Sequence, residues 1–293
     1  MRTNVKTSAH SKVILIGEHS VVYDKSAVVM PIKNLITEID LTLEPDTKDK
    51  KINPEYLQMH RLTDALTNHF NYQDGFTIKM QSNIPGSRGL GSSASAAVAI
   101  IRAFFEIFET KLDLDTLINF AEISENTIHG KASDIDIIGT SSEYIIDLND
   151  SQIEEIKHPP TFYLVIVDSK IKGSTKEAVE TVANNPKKDQ LISQLTTSTK
   201  EFKQALKDNN VIKLGFLMNQ AQTILDKLGV SNATIDKLIK IALENNALGA
   251  KLSGSGLGGI VISITDDLST AKNIQNGFLQ AGFEDVLMQE SKS

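Results

Sequence analysis

Cysteine and tryptophan are both absent from this chain of 293 residues, and aromatic residues make up only 5% of it. Without cysteine, the chain has no disulfide framework, no thiolate zinc or iron–sulfur site and no cysteine nucleophile. The absence of cysteine also fits a reducing compartment. No apolar run reaches the roughly 18 residues of a transmembrane helix, and residues 1–12 contain no secretory apolar region. We therefore expect a cytoplasmic protein that does not contact the membrane.

Basic residues are in the minority, with 30 of them against 37 acidic ones and a net charge of −7. This balance argues against a nucleic-acid partner, because such binding depends on basic surfaces that neutralise phosphates. It does not exclude a small anionic substrate, since a local cluster of donors can hold one. The hydrophobic fraction of 40% is that of a globular chain, and the length favours about two domains.

Short β-branched runs and alternating apolar residues predict strands, and apolar residues at helical spacing predict helices. The predicted strands are 13–16, 26–32, 39–43, 76–80, 145–148, 162–167, 260–264 and 286–289. The predicted helices are 54–70, 93–108, 113–129, 174–184, 187–207, 211–228, 232–246 and 268–281. The polar segment 46–53 is predicted to be a loop, and the double proline at 159–160 to mark a domain boundary, giving domains 1–158 and 159–293. Because strands and helices do not strictly alternate, the pattern favours an α+β fold.

A glycine-rich segment lies between a predicted strand and a predicted helix. Its residues are Pro85, Gly86, Ser87, Arg88, Gly89, Leu90, Gly91, Ser92, Ser93, Ala94 and Ser95. Glycines let backbone N–H groups turn inward, and a helix N-terminus attracts phosphate. One of the hydroxyls of Ser92 and Ser93 would cap the helix, and the other would reach a phosphate or its Mg²⁺. A glycine-rich turn with an ordinary serine cap is an equally good interpretation. The segment is not a Walker A loop, because GxxxxGK[ST] does not occur.

A second glycine cluster, at residues 254–259, formally matches GxGxxG. A dinucleotide-binding loop needs a strand before it and a helix after it, whereas here a helix is predicted before it and a strand after it. Two interpretations stay open: a tight loop packed beside the first glycine segment, or a turn that leads into a strand.

Three motifs together resemble the GHMP kinases, named for galactose, homoserine, mevalonate and phosphomevalonate. The amino-terminal motif is matched by residues 11–23, the phosphate loop PxxxGLGSSA by residues 85–94, and the carboxy-terminal motif KLxGxGxGG by residues 251–259. The resemblance implies a two-domain α+β fold. Its ribosomal-protein-S5-like amino-terminal domain would carry the phosphate loop and the catalytic aspartate, and its ferredoxin-like carboxy-terminal domain the third glycine motif.

Within the family, the amino-terminal motif resembles the mevalonate kinase branch, of the bacterial type. A galactokinase would have Arg and Asn in place of Lys12 and Ile14, and residues 167–176 also resemble that branch. The resemblance implies ATP- and Mg²⁺-dependent phosphorylation of the 5-hydroxyl of (R)-mevalonate to 5-phosphomevalonate, in the route to isoprenoids. The alternatives are a phosphomevalonate or sugar kinase, or a non-catalytic binding protein derived from the family. Homodimers are common in the family, but the sequence has no interface signature.

The resemblance also assigns residues to roles. It implies that Asp136 is the catalytic base with Lys12 beside it, and that Ser93 and Glu125 bind Mg²⁺. It places ATP on residues 85–95 and the third glycine motif against that loop. The implied substrate-binding residues are Lys12, Glu18, His19, Asp136 and Thr175. The residues of the third glycine motif are Gly254, Ser255, Gly256 and Gly258.

Two positions leave alternatives open. Asp134 replaces a family glycine, which can adopt a positive φ at less cost than aspartate. Asp134 is expected to point away from the substrate, and the alternative is that it also binds metal or interacts with Asp136 as a like charge. Arg88 either touches a phosphate or closes over the nucleotide, or it is a turn residue that faces solvent.

Overall fold

The computed structural model describes residues 2–23, 26–52, 59–128, 134–149 and 152–292. The chain forms two compact units, each built from segments that are not contiguous in sequence. The first unit comprises residues 1–12, 31–86 and 91–143, and the second comprises residues 13–30, 87–90 and 144–293. The domain boundary predicted between residues 158 and 159 lies inside the second unit and stays a prediction.

The first unit contains strands from the amino-terminal third of the chain: β1 (Asn4–Ile16), β2 (Ala27–Glu44), β3 (Lys50–Ile52) and β4 (Gly75–Ser82). β1 ends in the second unit, and β2 begins there. The second half of β2 pairs antiparallel with β4, β3 adds to β4 in parallel, and β1 pairs with β2. Buried residues alternate with more exposed ones from Leu35 to Glu44, which is typical of a strand with one face on a core.

The helices of the first unit are α1 (His60–His69), α2 (Ser92–Ile107), α3 (Leu114–Ile128) and α4 (Asp134–Ser141). Helix α2 is rich in alanine and buried on nearly every side, as expected of a central helix. Its hydrophobic core includes Phe104 of α2 and Phe76 of β4, both fully buried and in edge-to-face contact. This core holds α2 in place, and with it the first turn of the helix.

The second unit contains the end of β1, from residue 13, and the start of β2, residues 27–30. Residues 27–29 of β2 pair antiparallel with β5 (Ile145–Asn149), which pairs with β6 (Gln152–Ile156). A separate four-stranded sheet has the order β10-β7-β9-β8 and is antiparallel throughout. Its strands are β7 (Tyr163–Asp168), β8 (Gly249–Ser253), β9 (Ile260–Thr265) and β10 (Val286–Glu290).

Helices of the second unit connect the strands of this sheet. They are α5 (Thr175–Ala183), α6 (Lys188–Lys207), α7 (Val211–Leu228), α8 (Ala233–Glu244) and α9 (Leu268–Gln280). Side chains of Ser174, Asn210, Asn232 and Asp267 accept hydrogen bonds from first-turn amides and so cap α5, α7, α8 and α9. Strands and helices are mixed without strict alternation, so the prediction of an α+β fold is confirmed. Among the helices in the described ranges, none is long and apolar enough to cross a membrane.

Several elements differ from the sequence-based prediction. The strands predicted at 26–32 and 39–43 are one continuous strand, β2. The loop predicted at 46–53 contains β3, and β6, β8 and α4 were not predicted. The third glycine motif follows β8 rather than a helix, and it connects β8 to β9 as a hairpin loop. A strand still follows it, so the dinucleotide-binding interpretation fails for that reason. Helix α1 begins at His60, and residues 54–58 of the longer predicted helix lie outside the described ranges.

Two glycines bring α7 against β8. A Cβ added to Gly249 would lie 2.0 Å from the carbonyl oxygen of Gly215, and one added to Gly215 would lie 2.5 Å from the carbonyl carbon of Leu248. The obstructing atoms belong to the backbone, so they cannot move aside as a flexible side chain would. We expect Gly249→Ala to lower the free energy of unfolding by about 2 kcal/mol or more, as overpacked sites do.

The matched control is Gly86→Ala, because a Cβ there meets no atom within 4 Å. We expect that variant to stay within about 0.5 kcal/mol of the wild type. Urea unfolding of both variants measures the difference. Equal stabilities would contradict the close backbone approach.

Candidate active site

The glycine segment at residues 85–95 forms a turn whose backbone leads directly into α2. Gly89 and Gly91 have positive φ angles of 79° and 71°, and Gly91 is the N-cap residue of α2. No side chain caps this helix, so the expectation that Ser92 or Ser93 caps it is wrong. A side-chain cap would have used first-turn N–H groups, which instead can donate to a bound anion. With the positive end of the helix dipole, this is the geometry of a phosphate site.

Two serines of the segment have different surroundings. The hydroxyl of Ser95 donates to the Ala9 carbonyl at 2.9 Å, which fastens α2 to β1. The Oγ of Ser93 is shielded from solvent and has no hydrogen-bond partner among the described residues. A buried hydroxyl without a partner is costly, so a ligand that supplies one would stabilise it. Hydroxyl and carboxylate oxygens are ligands that Mg²⁺ prefers, so Ser93 fits the metal-binding role predicted for it.

Glu125 lies in α3, which follows α2 in the first unit. Its backbone is helical, and its side chain lies outside the described part of the structure. Its predicted role as a Mg²⁺ ligand therefore stays a prediction.

Lys12 and Asp136 form an ion pair within the first unit. Their Nζ and Oδ1 atoms are 2.7 Å apart; the lysine side chain is 2% exposed and the aspartate side chain 38%. A Cβ on Gly91 would lie 3.3 Å from the Cγ of Lys12, so the buried lysine stem runs directly beneath the turn that leads into α2. The carboxylate is thus anchored on one side by a cation and accessible on the other. A carboxylate in this arrangement can accept a proton from a bound hydroxyl.

Asp134 and Asp136 both lie in the first turn of α4. The helix dipole favours carboxylates at this end, so two of them are tolerated there. Asp134 is exposed and is not among the residues with positive φ. The expected backbone cost of replacing the family glycine is therefore not present, because helical φ suits any L-residue.

Buried polar contacts connect the amino-terminal motif to the third glycine motif within the second unit. Glu18 pairs with Lys251, and both side chains are completely buried. Lys251 also donates to the Leu252 carbonyl, and the Ser253 hydroxyl bridges the backbone N–H and C=O of Ile14. Burial lowers the pKa of Lys251, and the negative charge of Glu18 opposes that shift. Since the Glu18 carboxylate contacts Lys251, its predicted contact with substrate stays a prediction that this geometry does not favour.

His19 is next in the chain and is also buried, with its Nε2 atom 2.9 Å from the Ser255 carbonyl oxygen. Burial lowers its pKa; the hydrogen bond to Ser255 acts in the opposite direction, and the charge of Lys251 lowers the pKa further. The ring is therefore neutral near pH 7. A carbonyl only accepts, so Nε2 carries the proton and Nδ1 is left as the acceptor nitrogen of the ring.

The third glycine motif packs against the phosphate-loop residues of the second unit. A Cβ on Gly254 would lie 3.2 Å from the Cα of Gly89, and one on Gly259 would lie 2.8 Å from the carbonyl oxygen of Arg88. Gly254 and Gly256 have positive φ angles of 101° and 85°. Glycine is therefore needed here for close backbone approach and for the left-handed conformation. Of the two interpretations left open by the sequence, a loop packed beside the first glycine segment describes the structure.

Near the same motif, α5 begins at Thr175, which is exposed. Gly173, two residues earlier, lies close to Gly256: its Cβ would be 3.1 Å from the Gly256 carbonyl oxygen. Thr175 therefore follows, two residues later, a glycine that lies against the third glycine motif. Its substrate contact stays a prediction.

Arg88 does not face solvent, which removes one of the interpretations of this residue. Its Nε atom donates to Oδ2 of Asp168 at 2.7 Å, and the two side chains are 14% and 7% exposed. Sequence reasoning missed Asp168, although its position directly after the apolar run 162–167, at the end of β7, was a usable signal. Polar residues at strand ends often belong to sites.

Comparison with known proteins gives concordant matches. Residues 58–141 match the model of the GHMP kinases N terminal domain, and residues 202–285 match that of the GHMP kinases C terminal domain. A mevalonate kinase from Methanocaldococcus jannaschii is 31% identical over 286 residues, covering 88% of this chain and 90% of the relative.

Solved structures agree in fold. A mevalonate kinase from L. major, in complex with R-mevalonate, aligns with a TM-score of 0.85 and 25% identity, covering 99% of this chain and 96% of the other. The enzyme from methicillin-resistant Staphylococcus aureus aligns with a TM-score of 0.79 and 25% identity, covering 99% and 100%. These relatives leave the prediction of a bacterial type untested. With both family domains matched and a relative aligned along most of its length, the chain belongs to the GHMP kinase family.

Proposed function

We propose that the protein uses ATP and Mg²⁺ to phosphorylate the 5-hydroxyl of (R)-mevalonate, giving 5-phosphomevalonate for isoprenoid synthesis. The observation that carries the proposal is the ion pair between Lys12 and Asp136, with its lysine stem against Gly91 of the phosphate loop. The choice of substrate is supported by the similarity to relatives that are mevalonate kinases, one of them in complex with R-mevalonate.

In this proposal Asp136 accepts the proton of the 5-hydroxyl as its oxygen attacks the terminal phosphorus of ATP. The bridging P–O bond to that phosphorus breaks, and ADP leaves with its electron pair. Lys12 orients the carboxylate through the 2.7 Å contact and adds positive charge beside the reacting oxygen. Phosphoryl transfer depends mainly on positioning and on stabilising charge, so a fixed carboxylate and a fixed cation are suitable groups. Neither group needs large rearrangement, because the lysine is buried and the aspartate belongs to a helix.

The phosphates of ATP would lie against the backbone of residues 85–95 and the first turn of α2. Ser93 and Glu125 would hold Mg²⁺, which when bound neutralises phosphate charge. Ser93 offers a buried hydroxyl without a partner among the described residues, which is the feature that supports this assignment. His19 and Thr175 would contact the alcohol that receives the phosphoryl group. His19 would do so through Nδ1, which accepts a hydrogen bond.

From the family resemblance we also propose that the domain limits are 1–158 and 159–293. The two matched family segments fall on either side of residue 158. The protein is cytoplasmic. It forms a homodimer, which light scattering of the purified protein would test.

The acceptor can be identified directly. Purified protein with ATP and Mg²⁺ is offered (R)-mevalonate, phosphomevalonate, galactose or homoserine, and ADP release is measured. We expect turnover with mevalonate alone and a phosphorus signal of a primary phosphate ester in the product. ADP release with another acceptor and none with mevalonate would contradict the branch assignment. If none of the four acceptors leads to ADP release, a non-catalytic protein or one with a different acceptor is favoured.

Substituting each of the two aspartates of α4 in turn tests which of them is the catalytic base. We expect Asp136→Ala to lower kcat by at least about a thousandfold, since it removes both the proton acceptor and the partner of Lys12. Asp134→Gly, which restores the family residue, should change kcat by less than about threefold, because Asp134 is exposed. Steady-state kinetics measures both. Comparable activity of Asp136→Ala and the wild type would disprove the role given to Asp136.

The protonation state of His19 predicts how stability depends on pH. Its folded-state pKa is lower than that of the unfolded chain. The unfolded chain therefore binds more protons in the interval between the two values. The stability that depends on neutral His19 is complete above about pH 6.5 and is lost as the pH falls towards the folded-state pKa.

Thermal unfolding of the wild type and of His19→Gln between about pH 8 and pH 5 tests this. Glutamine keeps an N–H donor for the Ser255 carbonyl but does not titrate. We expect the Tm of the wild type to fall more steeply than that of the variant below pH 6.5. Parallel curves for the two proteins would show that His19 is not buried in the neutral form.

A further inference from the structure

The ion pair between Arg88 and Asp168 uses the whole carboxylate. Oδ2 of Asp168 accepts from the Nε of Arg88, and Oδ1 accepts from the backbone N–H of Lys170, each at 2.7 Å. Asp168 is the last residue of β7, so its own backbone is fixed by the sheet. The guanidinium of Arg88 is therefore held in one orientation from one edge.

The other edge of the same guanidinium is incomplete. Its Nη1 atom is shielded from solvent and has no hydrogen-bond partner in the described ranges. A guanidinium has five N–H donors, and a charged donor that is buried without an acceptor is costly. Proteins rarely keep such a group unless a ligand supplies the acceptor. The missing acceptor must be neutral or anionic, since a cation would be repelled.

The position of Arg88 indicates which acceptor this is. Arg88 lies inside the phosphate loop, two residues after Gly86 and one before Gly89. Its carbonyl oxygen is packed against Gly259, so the backbone as well as the side chain is constrained. Phosphate oxygens suit a guanidinium because they are anionic and match the spacing of its donors.

We propose that Asp168 is a positioning residue, which orients Arg88 so that Nη1 donates to a phosphate oxygen of the nucleotide bound at the loop. This inference rests on the proposed function, in which residues 85–95 bind ATP. Asp168 acts through Arg88 and does not itself touch the nucleotide, because its carboxylate only accepts hydrogen bonds and would be repelled by anionic phosphate oxygens.

A double-mutant cycle tests the proposal. In Asp168→Asn one of the two acceptor oxygens becomes an NH₂ donor, so the side chain can serve Arg88 or Lys170 but not both. Arg88→Met removes the donors and keeps the stem. We expect each change to raise the KM for ATP about tenfold, the size of one charge-assisted hydrogen bond, with kcat and the KM for mevalonate nearly unchanged. The double variant should match Arg88→Met, because Asp168 has no role without the arginine.

A neighbouring ion pair supplies the matched control. Lys170 pairs with Asp285 in the same region, but both side chains are about half exposed. Lys170→Met should leave the KM for ATP within about twofold, as exposed pairs contribute little. Arg88→Lys keeps the charge but replaces the fork of donors with a single ammonium group. The KM for ATP of this variant should also be raised, because one ammonium group cannot donate to Asp168 and the phosphate together as the planar guanidinium does.

A binding measurement separates failure of this inference from failure of the proposed function. Calorimetry with inorganic tripolyphosphate and Mg²⁺ needs no acceptor and no turnover. Affinity reduced about tenfold in Arg88→Met and in Asp168→Asn would support the inference even if mevalonate proved to be the wrong substrate. Unchanged tripolyphosphate affinity with a raised KM for mevalonate would overturn it, because Arg88 would then contact the carboxylate of the acceptor. Additive effects in the double variant would overturn the positioning role of Asp168.

Discussion

The buried pair of Glu18 and Lys251 is the constraint on which the arrangement of the second unit depends. Either charge alone, with no exposed surface, would be strongly unfavourable, so each requires the other. The pair joins residues that are 233 positions apart in sequence. Two hydrogen bonds act together with this pair: one joins Ser253 to Ile14, and the other joins His19 to Ser255. The three contacts hold the amino-terminal motif and the third glycine motif in one fixed register. The net gain in stability from such a pair is small, so its value here is that it specifies one alignment of two loops.

The glycines follow from that alignment. Once the third motif lies against the phosphate loop, Gly254 and Gly259 have backbone atoms of Gly89 and Arg88 where a side chain would begin. The glycines of the GxGxxG pattern therefore allow close packing here, although the same pattern in other proteins binds a dinucleotide. The difference lies in the flanking elements: this loop joins β8 to β9 in a hairpin, so no helix N-terminus follows it. The proposed phosphate site would instead use the N-terminus of α2, where Gly91 is the N-cap residue and no side-chain cap is formed.

Much of the fold follows from apolar periodicity, because the helices α5 to α9 and the strands β7 and β9 bury clear apolar patterns. The elements that were missed have physical reasons. β8 reads Gly-Ala-Lys-Leu-Ser, and its buried lysine cannot be recognised as a core residue without its partner Glu18, which lies far away in sequence. β2 continues through polar Lys33 and Asn34, which divide its apolar pattern in two. The pair Lys12–Asp136 was anticipated from motifs, whereas Asp168 was missed because its significance depends on contact with Arg88 across 80 residues.

Charge neutrality then determines what must attract the substrate. In the described part of the chain, Lys12 pairs with the carboxylate of Asp136, Arg88 with that of Asp168 and Lys251 with that of Glu18. Each pair is formally neutral, so these cations orient groups more than they attract a polyanion from solution, and the chain as a whole carries −7. Among the described groups of the proposed site, the uncapped N-terminus of α2 and the divalent cation that accompanies the nucleotide are then the main sources of attraction for a triphosphate. For this reason we expect nucleotide affinity in this protein to depend on Mg²⁺ more strongly than on any single basic side chain.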